Sequence, residues 1–157
     1  MPRQAALAKS DFFDRSLDRA LIGRMLALIE ERGSDETLRQ HTGGVLFDAW
    51  GGAIARTSDD ATAFPHRQAR FLAQEFVTLN DAPPRDVERA EKTWLDALWQ
   101  ALRPGASGAA YVNYIDPDLS GWERAYYGDN LERLAEVKRT YDPDDVFTFA
   151  QSIPLHA

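Results

Sequence analysis

The sequence contains no cysteine, which excludes disulfides, thiolate metal ligands, a cysteine nucleophile and any cysteinyl cofactor linkage within the chain. Its histidines, His41, His66 and His156, stand too far apart for a helical i, i+4 ligand pair, so no metal ligand is expected. No run approaches the roughly 20 apolar residues of a membrane span, and the first ten residues show neither the apolar stretch nor the cleavage pattern of a secretory leader. Positive charge is also in short supply: 25 acidic residues face 18 basic ones, for a formal charge of -7. Such a field repels phosphate backbones and anionic membrane surfaces. These absences predict a cytoplasmic protein whose partners include neither nucleic acid nor membrane.

What is present is ordinary globular composition, 44% hydrophobic and 27% charged over 157 residues. A chain of this size buries roughly 70% of its unfolded surface around one core, and without repeats or low-complexity linkers residues 1–157 are expected to form a single domain. Ser16 is placed to cap a first helix, with Leu17, Ala20, Leu21, Leu28 and Ile29 near one face and Gly33 as its stop. A short helix is expected over 35–41. The run from Val45 to Arg56 reads as a strand with a bulge at Gly51 and Gly52, and Ala69 to Leu79 as a second strand able to pair with it antiparallel. Pro83 and Pro84 open another amphipathic helix, with Val87, Ala90, Trp94, Leu95, Leu98 and Leu102 on its apolar face before Pro104 and Gly105 end it. Ala109 to Ile115 reads as a third strand, followed by a helix near 131–140 and an extended tail. The pattern predicts an α+β fold in which amphipathic helices cover one face of a small, mostly antiparallel sheet.

Familiar catalytic loops are missing: there is no Gly-x-Gly-x-x-Gly after a strand, no phosphate loop and no Gly-x-Ser-x-Gly elbow. His66 and Arg67 stand where a strand follows a turn, and a turn-fixing hydrogen bond is the expected role of His66. Trp94, on the apolar helical stripe, is expected in the core. The unusual stretch is Tyr111-Val-Asn-Tyr-Ile-Asp116, where strand alternation puts Tyr111 and Asn113 on one face and Tyr114 and Asp116 on the other. Two readings stand for it: half-buried core tyrosines with satisfied hydroxyls, or a polar site.

The order and spacing of several segments resemble the carboxy-terminal region of berberine-bridge-enzyme-like flavoenzymes. They are Tyr-Val-Asn-Tyr-Ile-Asp-Pro-Asp-Leu at 111–119, Ala-Tyr-Tyr-Gly-Asp-Asn-Leu-Glu-Arg-Leu at 125–134, Tyr-Asp-Pro-Asp-Asp-Val-Phe at 141–147 and Gln-Ser-Ile-Pro at 151–154. Upstream, Gly-Gly-Ala-Ile-Ala-Arg at 51–56 and Ala-Thr-Ala-Phe-Pro-His-Arg at 61–67 resemble that family's substrate-domain hairpin, and Lys9-Ser-Asp-Phe12 the lead-in to the helix before it. The resemblance divides the chain into a partial substrate-domain region, 1–108, and a family-specific segment, 109–157.

It implies an FAD-dependent oxidation of a small molecule, with Tyr114 as or beside the base, Asn113 and Asn130 toward the cofactor, and Tyr111 toward substrate. Asn130 also reads as a helix cap. The family's flavin-binding domain and its histidyl or cysteinyl anchors are not in this sequence. Tight FAD binding by the chain alone is therefore not expected. Two functions follow: part of a split oxidase that works with a separate flavin-binding chain, or a non-catalytic module that self-associates or binds a small molecule. A sheet with an open edge also predicts a homodimer unless such a partner takes the same surface.

Overall fold

The computed structural model describes residues 5–79 and 83–156. Three antiparallel strands, β1 (Ala5–Phe13), β2 (Thr42–Ala49) and β3 (Phe71–Leu79), form one sheet in the order β1-β3-β2. Two long helices, α1 (Arg19–Ser34) and α2 (Arg85–Leu102), pack together on one sheet face, followed by α3 (Trp122–Tyr127) and α4 (Leu131–Tyr141). The α+β class and the helix-covered sheet agree with the expectation.

The alternation of β3 explains the layering. Ala73, Glu75, Val77 and Leu79 are buried, whereas Gln74, Phe76 and Thr78 between them are half-buried, as a strand covered on one face requires. The covered face meets Leu95, Leu98 and Leu102 of α2 and Leu21 and Met25 of α1. Phe13 and Phe71 stack there with ring centroids 4.7 Å apart. The first helix is capped by Asp18, whose Oδ1 accepts from the Leu21 amide at 2.8 Å, rather than by Ser16. A carboxylate two residues further on suits the helix dipole as well as the open N–H groups.

Other expectations are corrected by local geometry. The strand expected over 45–56 runs instead over 42–49, because Gly51 and Gly52 (φ +54) turn the chain into a single 3-10 turn at Ile54–Arg56. The short helix over 35–41 is a 3-10 turn at Leu38–Gln40, held by Asp35 Oδ1 accepting from the Thr37 and Leu38 amides. Residues 109–115 form no strand. They run beside β1 for a few residues, with Ser107 N–H donating to the Phe12 carbonyl (2.8 Å) and Phe12 N–H to that of Ala109 (3.0 Å), then fold into a turn. The third strand is β1, whose central residues Lys9, Ser10 and Asp11 carry no apolar alternation and yet are buried.

The sheet–helix interface holds three buried acids. Glu91 of α2 takes a bidentate ion pair from Arg32, whose guanidinium lies 4.4 Å from the Trp94 ring centroid. Gly43 makes room for it, since a Cβ there would stand 2.8 Å from Arg32 Cζ. Asp11 is paired with Arg103, yet burial pushes its carboxyl up to about 7 against that partner. Glu75 is fully buried, with neither carboxyl oxygen bonded among the described residues, and burial reinforced by Asp11 pushes it up to about 8.

The folded state therefore keeps a proton that the unfolded chain releases near 4.5. Stability should be highest at low pH in this respect and fall as pH rises from about 4.5 to about 8. The slope for one proton approaches about 1.4 kcal/mol per pH unit. Glu75→Gln keeps the shape and removes the ionisation, so urea unfolding at stepped pH should show a flatter profile for the variant. The same slope in both proteins would refute a neutral Glu75.

Candidate functional site

Opposite the helices, the sheet presents a line of residues in register: Ser10 of β1 faces Gln74 of β3, which faces Leu46 of β2. One step along, Phe12 and Leu72 anchor an aromatic cluster with Trp50, Phe64, Tyr111 and Tyr114. Phe12 meets Trp50, Phe64 and Tyr111 edge-on, with centroids 5.2, 5.8 and 6.0 Å away. Edge-to-face contacts of this kind fix ring orientation beyond what apolar burial achieves. The Trp50 indole N–H is buried with no hydrogen-bond partner among the described residues.

Tyr111 and Tyr114 end this cluster on a tight turn closed by the Tyr114 N–H donating to the Tyr111 carbonyl at 2.8 Å. Their rings meet edge-to-face at 5.3 Å, and the Asn113 amide donates to the Tyr111 hydroxyl at 2.8 Å. The turn thus gathers Tyr111, Asn113 and Tyr114 where strand alternation would have separated them. Tyr111 and Tyr114 are half-buried, and Asn113 is exposed. Two half-buried phenols and an exposed amide thus stand together beside the fully buried Phe12 and Leu72, and groups of this kind can exchange hydrogen bonds or a proton with a bound molecule.

Asn130 lies elsewhere in the polar network. Its side-chain amide donates to the carbonyls of Asp59 (2.7 Å) and Thr62 (3.1 Å), tying the start of α4 to the 59–62 loop, and it makes no side-chain cap bond. The turn before β3 is closed by Arg67, whose N–H donates to the Pro65 carbonyl and whose Nε donates to that of Phe64, whereas His66 Nε2 lies 3.1 Å from the Tyr126 carbonyl and ties the segment to α3. Burial holds its imidazole below the ordinary value despite that bond. Trp94 is buried in the core and donates to the Leu28 carbonyl. Among the described residues no group of three or more His, Asp or Glu side chains is placed to hold a metal ion, and no helix is long and apolar enough to cross a membrane.

Sequence reasoning missed the polar residues beneath the turn. Asp116 is buried, and Lys9 Nζ donates to its Oδ2 at 2.8 Å while lying 3.2 Å from Asp96 Oδ1. Burial pulls the Lys9 ammonium down, but Asp116 and Asp96 outweigh it and hold its pKa above the ordinary value. The Asp116 N–H donates to the Tyr126 hydroxyl (3.0 Å), and Gln151 Nε2 donates to the Asp116 carbonyl (2.8 Å). One signal was available: Asp116 precedes Pro117 and Asp118, and its Oδ1 accepts from the Asp118 amide, an Asx turn that a reading of local turn chemistry finds.

Residues 110–154 match the family model described as Berberine and berberine like. Along 68% of its length the chain is 44% identical to the uncharacterized FAD-linked oxidoreductase YgaK of Bacillus subtilis, covering 23% of that protein. Along 91% of its length it is 32% identical to berberine bridge enzyme-like 21 of Arabidopsis thaliana, covering 31%. The fold superposes on the berberine bridge enzyme of Eschscholzia californica with a TM-score of 0.81 and 28% identity, over 96% of this chain and 33% of that one. The chain is thus related to the berberine-bridge-enzyme-like FAD-linked oxidoreductases over most of its length, and spans about a quarter to a third of theirs.

Losing the two Asn130 bonds should cost about 1 kcal/mol and free the loop that they hold. In Asn130→Ala, amide exchange at Ala61 and Phe64, which donate to Ser58 and Thr62 within that loop, should accelerate while Val77 in the central strand stays protected. Unchanged exchange at Ala61 would show that the loop holds without Asn130.

Proposed function

We propose that this berberine-bridge-enzyme-like region supplies the substrate-facing wall of an FAD-linked oxidoreductase, with Tyr114 as the proton-accepting group and Tyr111 contacting the substrate. The observation that carries the reading is the Tyr111–Asn113–Tyr114 turn set at the rim of the open sheet face. The residues present fit one end of a flavin and not the other. Beside the turn, half-buried Gln74 and the unbonded Trp50 N–H offer polar groups to a ring system. A pyrophosphate needs clustered backbone N–H groups or cations, and the chain is acidic and has no glycine-rich strand-to-helix turn.

When bound, FAD accepts the hydride that leaves the substrate. This chain's part is to bind, orient and take a proton. Phe12 and Leu72, fully buried beneath Trp50, Phe64 and Tyr111, support the tyrosine turn from below. The Tyr111 hydroxyl, which accepts from Asn113, keeps its own hydrogen for a substrate acceptor. A phenol has an ordinary pKa near 10, so the Tyr114 oxygen accepts a proton readily only beside cationic or hydrogen-bond-donating neighbours. Those neighbours would come from the flavin-binding part of such an enzyme.

The competing reading, a non-catalytic self-associating module, is favoured by one feature: outer strand β2 leaves Leu46 and Phe47 largely exposed. An uncovered strand with large apolar side chains invites pairing with a second copy. On either reading the purified chain should form a homodimer, and light scattering at micromolar concentration giving the mass of a single chain would refute it.

The catalytic reading is tested by a chimera in which this chain replaces the equivalent third of a berberine-bridge-type oxidoreductase of known substrate. Tyr114→Phe should slow flavin reduction by roughly 10²-fold or more, and Tyr111→Phe should act mainly on substrate binding. Equal rates for the two variants would sink the assignment of Tyr114, and tight FAD binding by the isolated chain in calorimetry would overturn the division of labour.

A further inference from the structure

Two sequence segments singled out above, Lys9-Ser-Asp-Phe12 and Tyr111-Val-Asn-Tyr-Ile-Asp116, meet in the fold although Lys9 and Asp116 stand 107 positions apart. Each residue of the first segment has a distinct task. Asp11 pairs with Arg103 at the end of α2, and Phe12 forms the floor of the aromatic cluster under Tyr111. The other two touch the tyrosine turn itself.

We propose that Lys9 and Ser10 are positioning residues for the Tyr111–Tyr114 turn, holding its two ends from opposite faces of β1. Successive strand residues point to opposite faces. Ser10, fully enclosed on the open-face side, accepts through Oγ from the Tyr111 N–H at 3.0 Å and so fixes where the turn begins. Lys9, on the helix side, grips the Asp116 carboxylate at 2.8 Å and fixes where it ends.

Asp116 is held at every polar atom: Oδ2 by Lys9, Oδ1 by the Asp118 amide, N–H by the Tyr126 hydroxyl and carbonyl by Gln151. Between the anchors the turn is internally closed by the Tyr114–Tyr111 backbone bond and the Asn113–Tyr111 bond. The backbone that carries the two phenols is therefore held at both ends by the anchors, and ring contacts with Phe12, Trp50 and Phe64 hold the Tyr111 side chain. A buried ammonium that kept only a generic partner would not need one whose chain neighbours include Tyr114. The placement stands on this geometry alone, whereas its value for chemistry rests on the function proposed above.

The test uses the full chain with fluorotyrosine in place of its five tyrosines, each fluorine resonance assigned by a Tyr→Phe variant. In Lys9→Met the Tyr111 and Tyr114 resonances should shift by more than their linewidths or broaden, while that of the exposed Tyr141 stays in place. Lys9→Arg, which keeps the cation, should restore both. Ser10→Ala, a milder change that keeps the buried ion pair, should move Tyr111 and Tyr114 by itself, and it decides the matter if Lys9→Met fails to fold. Unmoved Tyr111 and Tyr114 resonances in Ser10→Ala, or in a folded Lys9→Met, overturn the proposal. The readout involves no flavin, so its outcome is separate from that of the chimera: displaced phenols with an undiminished rate in Tyr114→Phe would remove the catalytic role and leave the positioning role standing.

Discussion

A lysine ammonium closed off from water between sheet and helix constrains everything around it. Desolvating a charge costs several kcal/mol unless partners replace the lost water, and Lys9 finds its replacements in Asp96 of α2 and Asp116 of the loop beyond it. Strand β1 is therefore joined to the carboxy-terminal third of the chain through a buried ion pair. The same contact ties α3 and the tail, because Tyr126 and Gln151 hold the Asp116 backbone. Two hydrophobic clusters, one between sheet and long helices and one around Tyr126 and Ala110, are joined across this ion pair. Removing one partner would leave the other charged and buried, which costs far more than a surface ion pair.

The three acids of the interface show how differently one problem is solved. Glu91 is fully paired, with Arg32 spanning both its oxygens. Asp11 has an arginine on one oxygen and none on the other. Glu75, diagonal to Asp11 across β1 and β3, has no partner for either oxygen among the described residues, and the neutral acid is the species that such a site tolerates. Two adjacent buried carboxyls favour at most one charge, and Arg103 beside Asp11 favours placing it there.

How much of this was legible in the sequence follows from where each residue's partners lie. Helix α2 was readable because Trp94, Leu95, Leu98 and Leu102 repeat at helical spacing, and β3 because its alternation has one covered face. In β1 the central residues Lys9, Ser10 and Asp11 are buried although polar, and their partners stand roughly a hundred positions away, so no local pattern announces a strand. The opposite error arose at 109–115, where Tyr-Val-Asn-Tyr-Ile has strand composition. Composition favours a pleated surface only if neighbouring backbone is there to pair, and here the edge of β1 accepts only residues 107–109 before Ser10 and the Asp116 anchor bend the chain. The candidate residues Tyr111, Asn113 and Tyr114 were legible by motif, while their gathering on one turn was not. Asn130, legible in the same way, is engaged with the 59–62 loop.

For the site this means that geometry and charge have different sources. Position is a property of the chain: the turn is clamped at both ends and supported from beneath by Phe12, so the phenols need no bound cofactor to bring them to the rim. A positioned group is the first requirement of proton transfer, and a matched pKa is the second. The cation closest to the turn in the bonding network cannot meet the second, since Lys9 faces away through the sheet and is neutralised by Asp116 and Asp96. The chain's net charge of -7 opposes a phenolate as well. Under the function proposed above, proton transfer at this turn therefore depends on groups outside it.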